Sequence, residues 1–586
     1  MSSTRSFLLA AFALVGFLLW QAWQQDYATP PTLAAEVAAP VNGAATPAPK
    51  QVVAPRDGAD IPKAAGTPAP APIPTVAETT PSAAARIEVR TDLLHLSIDT
   101  RGGAIVQADL LAYPIDPDDK TQPVRLLDDA PAKFFVAQTG LVSNDSPAPN
   151  HTAIFTAAQT AYALTDGNDT LEVPLTWQDA SGLKVRKVYI FRRGSYLIDS
   201  HQEITNGSAT PWSGNEYREL RRVPLVIAGS GFSFNNPEKY AFAGAAWYSP
   251  QDKFQKLQFD KYTTDKLCDS KESDPKVLAK CTFTGGWVAM LQHYFFAAWI
   301  PDSQEADQYT ISVVPDNGTP RYLIRTQSPA LTVDPGQTRS IASHLYIGPT
   351  LESQLDAVDK ANIAHGLDLT ADYGMLTFIA SPLHWVLVQL HAVVRNWGLA
   401  IILLVILIKL ALFKLSEAQF RSMAKMKRLQ PRMEALKERY GDDKQKLSAA
   451  TMELYQKEKI NPLGGCLPTL VQIPVFFALY YVLLESVELR QAPFFGWIHN
   501  LSAPDPYFIL PVLNAAIMGA TTWLSPASPG MDPTQAKMMK VMPLLFAVMF
   551  LFFPAGLVLY YTVNGGLSLL QQWVITKRMQ IAEKAR

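Results

Sequence analysis

Residues Trp397 to Leu415 read WGLAIILLVILIKLALFKL, an apolar run that holds Lys409 within it and meets Lys414 at its end. As a helix rising 1.5 Å per residue the run covers about 28 Å, close to the roughly 30 Å of a bilayer's hydrocarbon, so it is read as a membrane span. Lys409 then lies about 9 Å from the end at Leu415. A lysine near mid-bilayer costs on the order of 2.5 to 3.5 kcal/mol, so its ammonium either snorkels to the surface or faces a polar cavity. The spacing leaves both open. No Asp or Glu in the apolar centre of another span pairs obviously with it.

Four more runs resemble spans: Cys466 to Leu484, Tyr507 to Leu524, Val541 to Phe553 and Gly556 to Trp573. The polar residues within them that can line a cavity are Gln472, Asn514, Thr521, Thr522, Tyr560, Tyr561, Thr562 and Asn564. Val541 to Phe553 gives only about 20 Å of helix, so either the bilayer thins there or the helix starts near Ala536 with Lys537 and Lys540 snorkelling. At the N-terminus Arg5 precedes the apolar run Phe7 to Trp20. No small-x-small cleavage signal closes that run, and Trp20 and Trp23 suit an interfacial belt, so residues 1–25 are read as an uncleaved anchor rather than a signal peptide. That makes six spans.

Loop charge orients them. Lys414 to Lys459 carries a dozen Lys and Arg, whereas Ser486 to Pro506 carries only Arg490. By the positive-inside rule both termini and the basic loop are cytosolic, and the region between the anchor and the core lies outside. Within the basic loop, 416–460, Leu415 to Tyr440 reads as one helix, and Asp442 with Gln445 three residues later reads as the capping box of a second. The expectation is a cytosolic helical hairpin. Met423, Met426 and Met433 recur at helical spacing, which suits either adaptable binding or packing between the two helices. Its basic face suits anionic lipid or a ribosome surface.

Residues 26–85 are an Ala/Pro-rich linker, typified by Thr67 to Pro74, with too few large apolar side chains to offset the entropy of ordering. From residue 86 to 350 the period changes to two: Ile87 and Val89, then Leu94, Leu96 and Ile98 before the turn Arg101-Gly102-Gly103. Lys184 to Phe191, Tyr196 to Ile198 and the long aromatic stretch Trp287 to Ile300 continue the pattern, which implies a large β-sandwich. Cys268 and Cys281 either pair or remain free thiols. Residues 351–382 form a connector in which Leu369 to Ile379 reads as an amphipathic helix on the outer membrane surface, broken by Pro382.

The chain has 586 residues, net charge −1, 48% hydrophobic and 18% charged residues, and a mean hydropathy of +0.04. Near-zero net charge argues against a nucleic-acid binder acting through a global basic field. Three cysteines exclude a disulfide scaffold, and no CxxC, HExxH, GxGxxG or Walker loop offers a metal or nucleotide site. Neither a cofactor nor a catalytic constellation is expected. A small-anion transporter using Lys409 would call for internal symmetry, which is not visible; a tethered carbohydrate enzyme would leave five spans without a role.

The motifs Asn461-Pro462-Leu463-Gly464-Gly465-Cys466-Leu467-Pro468, Gln472-Ile473-Pro474 to Tyr480, Phe553-Pro554-Ala555-Gly556 to Tyr561, Val487 to Phe494 and Gly286 to Phe295 resemble those of the YidC membrane protein insertases of Gram-negative bacteria. The resemblance covers most of the chain. It implies a multi-domain inner-membrane protein: an N-terminal transmembrane anchor, a periplasmic β-sandwich of supersandwich type, and a five-helix transmembrane core, 383–586, with its cytosolic hairpin. It implies an insertase and chaperone, not an enzyme, working alone or with the Sec translocon through a hydrophilic groove open to cytosol and lipid. Partners by resemblance are nascent membrane proteins, ribosomes, targeting factors and the phospholipid bilayer. The family's groove cation is usually arginine; Lys409 keeps the charge and loses the planar fork. Gln472 and Tyr561 match groove-facing positions, and Val405 replaces one that is often polar.

Overall fold

The computed structural model describes residues 61–62, 85–224, 242–262, 267–269, 272, 274–315, 319–441, 443–458, 467–524, 541, 543 and 545–584. The expected anchor, most of the linker, Asp442 and the motif Asn461 to Cys466 lie outside them. All described residues except 260–262 belong to one compact unit.

Alternation becomes burial where it was read. Along Arg86–Arg90, Ile87 and Val89 face inward between exposed neighbours, and the strand pairs antiparallel with Leu94–Asp99. Thr91 fastens the turn, its Oγ1 accepting from Leu94 N at 2.9 Å. At the next turn Gly102 has φ +70°, and a Cβ there would sit 2.5 Å from the His151 carbonyl oxygen, so glycine is required. These strands belong to a twelve-stranded sheet, which lies with a nine-stranded one in the β region. The nine-stranded sheet runs Lys253–Gln258, Ala243–Ser249, Trp287–Gln292, Phe295–Pro301, Thr338–Pro349, Leu197–Asn206, Leu183–Arg192, Thr170–Gln178, Thr156–Ala157.

Trp287 to Ile300 is not one strand but a hairpin, turning at His293 with φ 35°. Its two strands lack alternation because both faces are covered. Trp287 Nε1 donates to the His365 carbonyl at 3.0 Å, and Gly366 lies against the Tyr248 ring. Several charges buried inside the domain are paired: Arg218 with Glu216 at 2.5 Å and Asp307 at 2.8 Å, and Arg325 with Glu219 at 2.5 Å. Cys268 and Cys281 form a disulfide, which answers the open question of their state.

After the sheets come helix α1 (Glu352–Lys360), two 3-10 turns at Leu367–Thr370 and Gly374–Leu376, and α2 (Thr377–Val394). This corrects the expected connector. Leu369 to Ile379 is not a helix of its own, and Pro382 lies within α2 rather than ending it, so the boundary at 382/383 cuts a helix. Pro382 sits in the second turn, where its missing N–H deprives one carbonyl, Phe378, and the chain before it is only one turn long. Arg395 then adopts φ 53°, donating to His391 O at 2.7 Å, and Asn396 caps α3 (Trp397–Ala411) by accepting from Leu399 N at 3.0 Å.

Further helices among the described residues are α4 (Phe413–Arg428), α5 (Gln430–Tyr440), α6 (Lys444–Lys457), α7 (Leu467–Glu485), α8 (Ile509–Leu524) and α9 (Ala555–Lys584). Several boundaries differ from expectation. α3 stops at Ala411, not Leu415, and the chain bends by 64° into α4. Leu415 to Tyr440 is two helices, because Pro431 has no N–H for Lys427 and forces a new start after Leu429. The cap of α6 is Asp443, whose carboxylate accepts from Gln445 N and Lys446 N at 3.2 and 3.1 Å. Met433 is buried with Leu429 against Leu436, Leu454 and Tyr455, the packing alternative for that residue; the Met423 and Met426 side chains lie outside the description. α9 runs past Trp573 to Lys584. Of Val541 to Phe553, residues 545–550 are helical, and a start near Ala536 lies outside the described residues.

Among the described residues one helix, Gly374–Val394, is long and apolar enough to cross a membrane unaided, and the bent pair beginning at Trp397 makes a second. Gln472–Glu485 and Ile509–Thr522 are shorter apolar helices. Their common core joins Leu387 of α2, Leu404 and Val405 of α3, Leu479 and Val482 of α7 and Val558 of α9.

Candidate functional site

Lys409 is the charge that the helical core must accommodate. It lies in the last turn of α3, 8% exposed, among Leu, Ile and Ala neighbours on its own helix. Its Nζ donates to Ser568 Oγ on α9 at 2.7 Å. Ser568 Oγ in turn donates to the Asn564 carbonyl one turn earlier, at 2.8 Å. The Asn564 side-chain oxygen accepts from Gln472 Nε2 of α7 at 3.3 Å. A polar chain thus crosses three helices: Lys409, Ser568, Asn564, Gln472. Tyr561, Asn564 and Ser568 share one stripe of α9 by their spacing of three and four, and Gln571 continues it. The Gln571 Oε1 is buried with no hydrogen-bond partner among the described residues. No carboxylate lies within 4 Å of Lys409 among those residues.

Of the residues singled out from sequence, Lys409, Gln472 and Asn564 are brought together. Tyr560 and Tyr561 form an aromatic cluster with Phe476 and Phe550: the Tyr561 ring lies 5.0 Å from Phe476 and 4.6 Å from Phe550, and Tyr560 lies 6.4 Å from Phe476. Thr562 is buried and donates back to Val558 O at 2.8 Å, a bond within its own helix. Thr521 and Thr522 do the same to Ile517 and Met518. Asn514 is buried, with its Nδ2 unpaired among the described residues. Val405 is buried in the apolar core. Ser568 was missed. A serine in a long helix is common, and only its interval of four from Asn564 marked the stripe.

A second set of contacts joins the sheets to the helices. Arg490, the sole basic residue of its loop, donates to Pro114 O at 2.9 Å, and Gln491 Nε2 donates to Pro114 O and Ile115 O at 3.0 and 3.1 Å. His293 Nε2 lies 3.9 Å from Glu485 at the end of α7. His384 of α2 stands between Glu352 at 2.6 Å and Glu488 at 3.7 Å. The hairpin containing Pro114 therefore rests on the segment that follows α7.

Residues 86–386 match the model of the YidC periplasmic domain, and residues 389–584 match that of the 60Kd inner membrane protein family. The chain is 46% identical over 586 residues to the membrane protein insertase YidC of Xanthomonas campestris pv. campestris, covering 98% of this chain and 97% of that one. To the membrane protein insertase YidC of Thioalkalivibrio sulfidiphilus it is 45% identical, with both chains covered completely. Among solved structures it is similar to an active YidC insertase crystal structure with the first transmembrane domain resolved. That match has a TM-score of 0.36 and 18% identity, over 82% of this chain and 90% of the other.

Proposed function

We propose, from the premise that this chain belongs to the YidC family of membrane protein insertases, that it inserts and helps fold inner-membrane proteins by letting their hydrophilic ends into a wet groove around Lys409. It is not an enzyme: no bond in the client is made or broken. The observation that carries the reading is a lysine, 8% exposed, whose ammonium has a hydroxyl as partner and no carboxylate within reach among the described residues. Such a cation keeps N–H donors and an uncompensated field for an acidic group that enters from outside.

The steps follow from solvation. A short polar segment of a client cannot cross hydrocarbon because each unsatisfied polar group costs several kcal/mol. Gln472, Asn564 and the two tyrosines replace part of its lost hydration, and Lys409 attracts its acidic groups. The barrier falls. The client's apolar segment then moves along the core helices into lipid, gaining roughly 0.8 kcal/mol per buried methylene. The membrane potential adds a pull on negative charge, about 2.3 kcal/mol per charge per 100 mV.

In this reading the core crosses the membrane five times after the N-terminal anchor. α2, although long and apolar enough to cross, is placed along the outer surface because a seventh span would carry the basic C-terminal tail outside; the sandwich is periplasmic, and the α4–α6 hairpin and both termini are cytosolic. The residue asymmetry between the basic and nearly uncharged loops supports that orientation. The basic hairpin is the surface proposed for ribosomes and targeting factors, with the Sec translocon as a lateral partner.

The test is reconstitution. Purified protein in liposomes should render a small membrane protein protease-protected. Lys409→Ala should lower insertion of a client with an acidic translocated end about tenfold or more, in line with 1.5 to 3 kcal/mol for a charged hydrogen bond, and a neutral-ended client much less. Wild-type rates for both clients would reject the groove cation.

A further inference from the structure

We infer that Ser568 is a positioning residue for the groove cation: it anchors the Lys409 ammonium on α9 and so sets where an acidic client group is met. This rests on the reading of Lys409 just given.

A serine within a helix ordinarily donates to the carbonyl four residues earlier and is satisfied by that bond alone. Ser568 makes that bond, to Asn564 O at 2.8 Å, so its proton points along its own helix. Its lone pairs therefore face outward, and one of them receives Lys409 Nζ at 2.7 Å. The hydroxyl is an acceptor oriented by the backbone. A lysine carries four rotatable carbons and a point charge, unlike an arginine fork, and nothing intrinsic fixes its direction. Held by one bond among the described residues, the ammonium retains two donors. The anchor's own helix also carries Asn564 and Tyr561 on the same stripe, so the cation is fixed beside the groups proposed to solvate the client. Without the anchor the chain is free to extend toward the headgroups, where the charge is better hydrated. The cavity would then lose its attraction for acid while keeping its shape.

Insertion of an acidic-ended client and a neutral-ended client into liposomes, measured for Ser568→Ala, Ser568→Thr, Lys409→Ala and the double variant, tests this. Ser568→Ala should lower acidic-client insertion about fivefold, the worth of one ordinary hydrogen bond, with a smaller change for the neutral client. Ser568→Thr, which keeps the hydroxyl, should restore it. Added to Lys409→Ala, Ser568→Ala should change nothing further. Each variant's trypsin fragmentation in the liposome reports whether the core is folded. Equal loss for both clients, failure of Thr to restore, or additive losses in the double variant would overturn the assignment while leaving Lys409 in its role. A Lys409→Ala protein that inserts both clients normally would overturn both.

Discussion

Gly398 shows how closely the core is drawn at the start of α3. A Cβ built there would lie 2.0 Å from Cδ2 of Phe494, on the loop that also takes a hydrogen bond from Asn396 at 3.2 Å. The Phe494 ring packs against the helical core, so moving it aside to open that much space is costly. Gly398→Ala should therefore cost about 1 to 3 kcal/mol, read as a lower Tm in detergent, despite alanine's better helix propensity. An unchanged or raised Tm would contradict the packing. Single residues of this kind differ in how plainly the sequence shows them. Lys409 was visible because a charge inside an apolar run has few explanations. Ser568 and Gly398 were not, since their roles depend on the atoms of another segment.

At the scale of elements, apolar runs marked the helices α3, α7, α8 and α9, whereas α2 and the break between α4 and α5 were misread at prolines. Pro382 was read as a stop and is tolerated because it stands in a second turn. Pro431 was passed over and is a break, because a full helix precedes it. The difference lies in how many carbonyls and neighbouring turns the ring meets, which residue type alone does not say. The strand hairpin at His293 was hidden for a different reason: burial on both faces removes the alternation that marks strand limits. The cap of α6 was misplaced by one residue between two adjacent aspartates, Asp442 and Asp443. Asp443→Ala should cost about 1 kcal/mol locally. It should speed amide hydrogen exchange at Gln445 and Lys446 and loosen the packing of Leu454 on Met433. Unchanged exchange at those amides would show that Asp443 is not the cap.

For the whole molecule the informative contact is the seat of the sandwich on the helices, which no local pattern foretold because its partners are hundreds of residues apart. Arg490 was read only as a topological marker, yet it holds the hairpin at Pro114 and lies over the Phe295 ring at 5.7 Å. Beside it His293 stacks on Tyr294, 3.6 Å between ring centres, and faces Glu485 at 3.9 Å. Burial pushes the His293 imidazole down to about 4, and the Arg490 charge pushes the same way, against a contribution from the Leu484 backbone. A histidine exposed by undocking or unfolding titrates near 6.5. The separated state thus binds a proton below about 6.5 that the seated His293 refuses until about 4, so the histidine's contribution weakens as pH falls through that window, while the neighbouring Glu485 carboxyl, pushed up to about 7 by burial, acts in the opposite direction. Hydrogen exchange around residues 290–296 and 484–491 between about pH 7 and 5 should therefore report the balance of the two groups. His293→Gln, which keeps polar atoms and cannot take the charge, should leave the Glu485 contribution alone, so that these residues are better protected at about pH 5 relative to pH 7 than in the wild-type chain. The same pH dependence in both chains would remove this histidine from the seat's energetics.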